Sequence, residues 1–235
     1  MLFRSELERL RLEKELLGFF LSGHPVDTLM GLGSSFDSLT TEDLETLTEK
    51  RSFRLCGVVS EIERRFTKKD SKPWARFNLL AKERDFSLPV FTDAYERYGH
   101  RLQDGELVVV EGVVSRRDGE TRLSVNGILP VDDAISELVE ECTWLIDPSS
   151  EDAQVFLNDL FEEADRAIGA CRVNFALARA EEEDGIVVLT DPRFRIHLNM
   201  KQYARWRDHA CVRGVRVSIR EPEVPIEKRF GRAAF

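Results

Sequence analysis

Residues 107–128, LVVVEGVVSRRDGETRLSVNGI, carry the strongest fold signal in the chain. Leu107–Val114 is a valine-rich run of the composition typical of a buried strand. The residues Arg-Arg-Asp-Gly at 116–119 predict a hairpin turn, because an Asp-Gly pair tolerates the positive φ values that tight turns require. Glu120–Ile128 then returns as a second strand. The stretch therefore predicts an antiparallel hairpin.

Three further strand candidates lie upstream of this hairpin. Phe53–Ser60 and Trp74–Ala81 alternate along the chain, and Asp85–Phe91 is a third, shorter candidate. A helix is expected over Asp93–Arg101, with Asp93 as its N-cap. Five strands with a helix between the third and fourth are typical of the OB barrel, which commonly binds oligonucleotides. The predicted fold class is an all-β OB barrel followed by a small α+β domain, with an N-terminal helical lead-in.

The changes of pattern along the chain predict its division into segments. A helix is expected over residues 5–21, opened by a capping box of Ser5 and Glu8 and stopped before Pro25. The five predicted segments are a helical connector at 1–50, the OB barrel at 51–131, an acidic helical linker at 132–165, an α+β domain at 166–219 and a flexible tail at 220–235.

Charge is distributed unevenly over the 235 residues. The chain has 34 Lys and Arg against 43 Asp and Glu, for a net charge of −9. Residues 51–131 are nevertheless net +3 and residues 166–235 net +5, whereas residues 132–165 hold 12 acidic and no basic residues. The acidic segment is either a solvated helix or a repulsive spacer that keeps DNA off one side. Overall acidity therefore does not exclude a nucleic-acid partner.

Several classes of protein are not indicated. No run approaches the ~20 apolar residues of a membrane span, and no secretory leader opens the chain. The four cysteines are scattered, so reduced thiols and a cytoplasmic location are expected. P-loop, GxGxxG, HExxH and GxSxG motifs are absent from the sequence. His209 and Cys211 are the only neighbouring His and Cys residues, and two ligands are a weak signal for a metal site. From this and from the missing motifs we expect no metal, no cofactor and no catalytic centre.

The positive signal is the interleaving of cationic and aromatic residues on the barrel. Lys and Arg neutralise phosphates, and an aromatic ring stacks a base of any sequence, a combination that suits single strands. The alternative is an ordinary solvated loop surface with Trp74 in the barrel core. The candidate nucleic-acid-binding residues are Arg64, Arg65, Lys68, Lys69 and Lys72 in the first loop, Trp74 and Arg76 on an outward strand face, Arg116 and Arg117 in the second loop, and Arg122 on the fifth strand.

A resemblance to a known family rests on residues 15–27, ELLGFFLSGHPVD. This segment resembles the E-x-L-G-x-Y-L-S-G-H-P-L-D signature of the bacterial DNA polymerase III alpha subunit. In that family the signature joins the polymerase body to an OB domain, and a C-terminal domain follows, which is also the order here. The family's acidic L-E-D-x-x-G turn is reduced in this chain to Ala81–Asp85.

The resemblance implies the non-catalytic C-terminal region of a replicative polymerase, whose DNA-directed DNA polymerase active site lies upstream and is absent here. Its OB barrel would bind single-stranded template DNA. Its C-terminal domain would bind the clamp-loader tau subunit, with other replisome subunits as further partners. Three alternatives stay open: a protein-interaction module without nucleic-acid binding, a phosphoesterase with His24 or His100 as general base, and a free-standing paralogue or split piece of the polymerase subunit.

Overall fold

The computed structural model describes residues 2–18, 20–39, 50–117, 120–166, 169–177 and 186–222. The helices are α1 (Leu2–Leu17), α2 (Leu32–Phe36), α3 (Thr92–Tyr98), α4 (Val131–Leu138), α5 (Ala153–Arg166) and α6 (Met200–Arg207), with short 3-10 helices at Pro25–Leu29 and Gly99–Arg101. The strands are β1 (Arg51–Phe66), β2 (Pro73–Ala81), β3 (Asp85–Val90), β4 (Leu107–Arg117), β5 (Glu120–Pro130), β6 (Val139–Ile146), β7 (Cys171–Leu177), β8 (Ile186–Val188), β9 (Arg195–Ile196) and β10 (Val212–Ile219).

The first five strands close into a barrel in the order β1–β2–β3–β5–β4. β1 is 16 residues long and pairs antiparallel with both β2 and β4. β3 meets β5 in parallel at Val90 and Val125, and this contact closes the barrel. Alternation along β2 and β3 turns every second side chain inward, so Phe77 and Leu88 fill the interior together with Phe53 of β1. The predicted OB-type barrel is confirmed.

Glycine permits a close approach between β4 and β5. The register of this pair shifts between Glu111 and Gly112. A Cβ atom on Gly112 would lie 2.2 Å from the Ser124 carbonyl oxygen and 2.7 Å from the Phe53 ring. Only a residue without a side chain therefore lets β4 pass here while Phe53 occupies the barrel centre.

The second unit is built on a sheet of order β10–β6–β7–β8, with β9 also paired to β7. β6 and β7 are parallel, and the other pairs are antiparallel. Trp144 of β6 lies in the core of this unit, where its ring contacts Phe156 of α5 and both Tyr203 and Trp206 of α6. The predicted small α+β domain after the barrel is thus confirmed as a fold class.

The expected helical linker over residues 132–165 is wrong for residues 139–146. These residues form β6, which lies between β10 and β7 in the sheet. Cys142, Trp144 and Ile146 are buried at alternate positions. The high acidic content of residues 132–165 obscures this alternation, because the flanking helices α4 and α5 are acidic as well.

A continuous apolar core joins the lead-in, one side of the barrel and the second unit. Val26 and Leu29, in the first 3-10 helix, and Phe36, in α2, cluster with Cys56 and Val58 of β1 and with the core of the second unit. Residues 52–60 of β1 are consequently buried on both faces of the strand. This side of the barrel is covered, so an outer binding face must lie elsewhere.

Two predicted helix caps are wrong. α1 begins at Leu2, so Ser5 lies inside the helix and is not its N-cap. α3 is preceded by Phe91, and Asp93 lies in its first turn. The expected turn at residues 118–119 lies outside the described residues, as does the predicted tail beyond residue 222. None of the helices in the described part of the chain has the length and apolar character to cross a membrane.

Candidate nucleic-acid interface

The exposed part of the barrel wall is formed by the second half of β1 with β2 and β3. β1 shifts register between Ser60 and Glu63, and its exposed residues follow this shift. On β2, alternation turns Ala75 and Phe77 into the barrel and leaves Trp74 and Arg76 outside. We call the outer surface made by Arg65, Trp74, Arg76, Asn78 and Phe91 the stacking face.

An aromatic pair lies at one end of the stacking face. The rings of Trp74 and Phe91 stack with centroids 6.2 Å apart and an interplanar angle of 26°. The Arg65 guanidinium carbon lies 5.9 Å from the centre of the Trp74 ring. Phe91 is 56% exposed and Trp74 is half-buried. Trp74 therefore lies on the outer face and not in the barrel core.

Phe91 was not among the residues predicted from the sequence, although a signal for it was present. The hairpin between β2 and β3 places Leu80 opposite Asp85 and Ala75 opposite Val90. The next pair in this register is Trp74 with Phe91. Assigning the hairpin register from the short turn would therefore have brought the two rings together, because side chains directly opposite each other share a face.

The charge of the stacking face is mixed. Arg65 forms an ion pair with Glu63 at 2.5 Å, and Asn78 donates a hydrogen bond of 2.7 Å to Glu61. Arg76 lies opposite Glu63 in the β1–β2 register and is exposed. The carboxylates hold neighbouring polar groups in place, while Arg76 faces solvent beside the aromatic pair.

Thr67 organises the loop between β1 and β2. Its amide donates to the Lys72 carbonyl at 2.9 Å, and its hydroxyl oxygen accepts from the Lys72 amide at 2.9 Å. The Thr67 hydroxyl also contacts Asp70 at 2.7 Å. Lys68, Lys69 and Lys72 are exposed on this turn. Three cations are thus presented by a hydrogen-bonded loop next to the stacking face.

Arg64 and Arg65 do not act on the same surface. Both lie in β1 and not in the predicted loop, so strand alternation turns them to opposite sides. Arg65 lies over Trp74, whereas Arg64 donates from Nη2 to the Leu102 carbonyl at 3.3 Å. Arg64 therefore ties β1 to the segment after α3 and is separated from the stacking face.

The other end of β3 opens onto a groove of about 490 Å³. The groove is lined by Arg84, Asp85, Phe86, Ser87, Arg116, Thr121 and Leu123. The Arg84 guanidinium carbon lies 5.1 Å from the centre of the Phe86 ring. Of the residues predicted from the sequence, Arg116 alone lines this groove. Arg84 was missed because its place beside the β4–β5 hairpin depends on barrel closure.

The other two predicted residues of the β4–β5 hairpin, Arg117 and Arg122, do not line this groove in the described structure. Arg122 is exposed and lies 3.8 Å from Glu120 in an ion pair. Its neighbours Thr121 and Leu123 line the groove, whereas strand alternation turns Arg122 the other way. The side chain of Arg117 lies outside the described residues.

The signature segment has a structural role in this chain. His24 Nδ1 accepts the Val26 amide at 3.2 Å, and the Asp27 carboxylate accepts the His24 amide at 3.4 Å, which caps the first 3-10 helix. Burial lowers the pKa of His24, which favours the neutral ring that this hydrogen bond requires. Asp27 also pairs with Lys82 at 2.6 Å, and this contact lowers the pKa of Asp27. The segment is thereby fastened to the β2–β3 turn.

Among the other chemistry-bearing groups, metal ligands and the histidine–cysteine pair can be assessed in the described part of the chain. Three or more metal-ligating side chains do not come together there. Cys211 Sγ lies 3.3 Å from His209 Nδ1, but burial raises the pKa of the Cys211 thiol and opposes a reactive thiolate. His100 is exposed in the second 3-10 helix.

The closed five-stranded barrel, its stacking face and the adjoining sheet define an OB-fold domain joined to a small α+β domain. The chain is 26% identical over 144 residues to the DNA polymerase III alpha subunit of Chlamydia muridarum, and the aligned region covers 61% of this chain and 12% of that protein. It is 32% identical over 157 residues to the subunit of Halalkalibacterium halodurans, and the alignment covers 66% of this chain and 14% of that protein. The subunit of Aquifex aeolicus is 36% identical over 107 residues, covering 46% and 9%.

The predicted relationship to the DNA polymerase III alpha subunit is therefore confirmed, although no family model matches the chain. The matched region spans 9% to 14% of the length of these relatives. Among solved structures, the mitochondrial single-stranded DNA-binding protein of S. cerevisiae has a TM-score of 0.30 at 15% identity, over 35% of this chain and 97% of its own. Asparaginyl-tRNA synthetase from Pyrococcus horikoshii has a TM-score of 0.30 at 14% identity, over 40% of this chain and 22% of the synthetase chain. Neither structural likeness bears on function at this TM-score.

Proposed function

We propose that this chain is a non-catalytic region of a replicative DNA polymerase alpha subunit that binds single-stranded template DNA. The supporting observation is the exposed stack of Trp74 and Phe91, with Arg76 beside it and a loop of three lysines next to it. Aromatic faces accept bases of any sequence, and cations neutralise the backbone. A template strand needs both properties, because a polymerase must hold every sequence it copies.

A tethering role for the second unit is the other part of the proposal. Its support is the relationship to the polymerase subunit together with exposed apolar side chains: Phe161 is 47%, Ile186 75% and Leu189 68% exposed. Such residues are typical of protein contact surfaces. The proposed partner is the clamp-loader tau subunit, and the proposed location is the cytoplasm. Tethering would raise the effective concentration of the polymerase at the replication fork.

DNA binding is tested by fluorescence anisotropy of a labelled oligo-dT at several salt concentrations. The Trp74→Ala variant is expected to weaken binding about 5- to 150-fold, the equivalent of ~1–3 kcal/mol for one stacked base. Phe161→Ala, an exposed aromatic of the second unit, is the matched control and should bind like the wild type. Wild-type protein that does not bind even at low salt would instead favour a protein-interaction module.

The lysine loop is tested by the slope of affinity against salt. Replacing Lys68, Lys69 and Lys72 together by Gln should lower the slope by up to about 2, since each phosphate contact of a single strand contributes ~0.7. The triple variant of the exposed cations Arg97, Lys201 and Arg216 to Gln changes the net charge equally at other sites. An equal effect of both triples would show that only net charge matters and would remove the loop from the site.

Tethering is tested by surface plasmon resonance with the tau subunit of the same organism. Ile186→Lys and Leu189→Lys change side chains that are 75% and 68% exposed, so they leave the shared core intact. Loss of tau binding with unchanged oligo-dT binding is expected. Undiminished tau binding in both variants would move the contact to another surface.

A further inference from the structure

A groove of about 460 Å³ runs along β10, at the boundary between the second unit and the lead-in. It is lined by residues of β10 between positions 212 and 217, by residues of the lead-in between positions 30 and 35, and by Tyr203 and Arg207 of α6. We propose that this β10 groove binds an extended acidic peptide of a partner protein, which adds to β10 as a further strand. The inference goes beyond the proposed function, since it requires neither DNA binding nor the tau contact.

β10 is an edge strand in the described part of the chain. The sheet has the order β10–β6–β7–β8, and among the described residues β10 pairs with β6 alone. The outer edge of such a strand presents N–H and C=O groups that template the addition of another strand. Residues 212–217 extend over ~17 Å at ~3.4 Å per residue, which suits an extended segment of about five residues.

The chemistry of the β10 groove alternates with the pleat of the strand. Val215 and Val217 pack against the core of the second unit, whereas Arg216 lies on the opposite face and is exposed. Met30 and Leu32 add apolar surface from the lead-in. An added strand shares its two faces with the strand it joins, so side chains directly opposite each other come into contact. A peptide that alternates apolar and acidic residues therefore fits β10, with its carboxylates beside Arg216.

Arginines give the groove a preference for acidic ligands. Arg207 and Arg213 line it, with side chains that are 41% and 38% exposed. Arg213 pairs with Asp147 at 2.5 Å, and Arg207 lies 3.9 Å from Asp208, so part of this charge is already compensated. Each guanidinium group has five N–H donors, and its hydrogen bonds to carboxylates are charge-assisted. The donors that these ion pairs leave over therefore suit the carboxylates of a bound peptide.

The same arginines oppose pairing between two copies of this chain. In an antiparallel pair of β10 strands centred on residues 214 and 215, Arg213 of each copy would lie opposite Arg216 of the other. Like charges directly opposite each other destabilise a strand pair, and charges on an edge strand are a common protection against self-association. An acidic partner is therefore a better occupant of this edge than a second copy.

Fluorescence anisotropy of labelled synthetic peptides with the full chain tests strand addition. The probe is Val-Glu-Val-Glu-Val-Glu, and the matched probe carries Lys in place of each Glu. We expect the acidic probe to bind at least ~10-fold more tightly, the equivalent of one charged hydrogen bond. Two further acidic probes carry N-methyl groups on the valines or on the glutamates. Because alternate amides of an added strand face its neighbour, one of these two should lose at least ~10-fold in affinity and the other should retain it.

A pair of matched variants tests the position of the site. Arg207→Gln/Arg216→Gln should weaken binding of the acidic probe at least ~10-fold, because two charged donors are removed. Arg213 is left in place because its ion pair also holds the protein surface together. Arg97→Gln/Lys201→Gln carries the same charge change outside the groove and should bind the probe like the wild type. Urea midpoints near that of the wild type are the control for folding.

The outcomes separate this inference from the proposed function. Equal binding of the acidic and Lys probes, wild-type affinity for both N-methylated probes, or no binding of the acidic probe at ~1 mM would each overturn the peptide site. An equal loss in both double variants would also overturn it, because only net charge would then matter. Oligo-dT binding should be unchanged in Arg207→Gln/Arg216→Gln, and its loss would assign the groove to DNA instead. Wild-type protein that binds the acidic probe and not oligo-dT would overturn the proposed function alone.

Discussion

Arg54 links the barrel to the second unit and provides the sharpest test of their coupling. Its side chain is 3% exposed and forms an ion pair with Glu111 at 2.5 Å. Its Nε donates to the same Glu111 oxygen at 2.9 Å, and its Nη1 donates to the Arg220 carbonyl at 2.5 Å, just beyond β10. We consider Arg54→Met, which keeps much of the apolar stem and removes all three hydrogen bonds.

The magnitude follows from what the change leaves behind. Breaking a buried ion pair costs ~3–5 kcal/mol, because the remaining charge is left without a partner. The Glu111 side chain is 31% exposed, so water can solvate part of the carboxylate and the lower end of that range applies. The Arg220 carbonyl also loses its donor. We expect Arg54→Met to lower the free energy of unfolding by about 3 kcal/mol.

Equilibrium urea denaturation followed by tryptophan fluorescence measures this loss. Trp74 reports on the barrel, while Trp144 and Trp206 report on the second unit. The double variant Arg54→Met/Glu111→Met should recover to within about 1 kcal/mol of the wild type, because no unpaired charge remains. A loss below about 1 kcal/mol in the single variant, or a double variant less stable than the single one, would show that the buried ion pair does not account for the stability.

Two further predictions concern the close strand approach and the signature histidine. Gly112→Ala should lower the free energy of unfolding by at least ~2 kcal/mol, because the new Cβ would lie 2.2 Å from a backbone oxygen. The control Gly127→Ala, whose nearest contact is at 3.7 Å, should lower it by less than ~1 kcal/mol. Equal urea midpoints for the two variants would contradict this prediction. Burial lowers the pKa of His24, so its protonation favours the unfolded chain; stability is full above the ordinary pKa of 6.5 and falls as the pH decreases below it. His24→Asn keeps a capping acceptor that does not titrate, so its stability should fall less than that of the wild type as the pH decreases. Urea titrations at pH values between about 5 and 8 measure this difference. A similar effect of the exposed control variant His100→Asn would show that His24 is not the source of the pH dependence.

The strands of the barrel could be predicted because their signal is local. The alternation of Trp74–Ala81 corresponds to β2 within one residue, and Val212–Ile219 was predicted with the bounds of β10. Period-two patterning depends only on neighbouring residues, since one face of each strand meets the core. The sequence analysis did not predict β6, because both its flanking helices and its own surface positions are acidic.

The candidate site could be predicted only in part. Trp74 and Arg76 were correctly expected to share an outward face, because residues two apart on a strand point the same way. Arg64 and Arg65 were grouped in a loop, and only the length of β1 shows that they diverge. Whether any of these residues contacts DNA stays a prediction.

The barrel, its order of elements and its relationship to the DNA polymerase III alpha subunit could all be predicted from the amino-acid sequence. These properties are written in strand periodicity and in the signature at residues 15–27, and both are local. The covered side of the barrel, and the groove that Arg84 lines with Arg116, became visible only in the folded chain. The physical reason is that both depend on contacts between distant parts of the chain: the closure of β3 on β5, and the apolar core shared by the lead-in, β1 and the second unit.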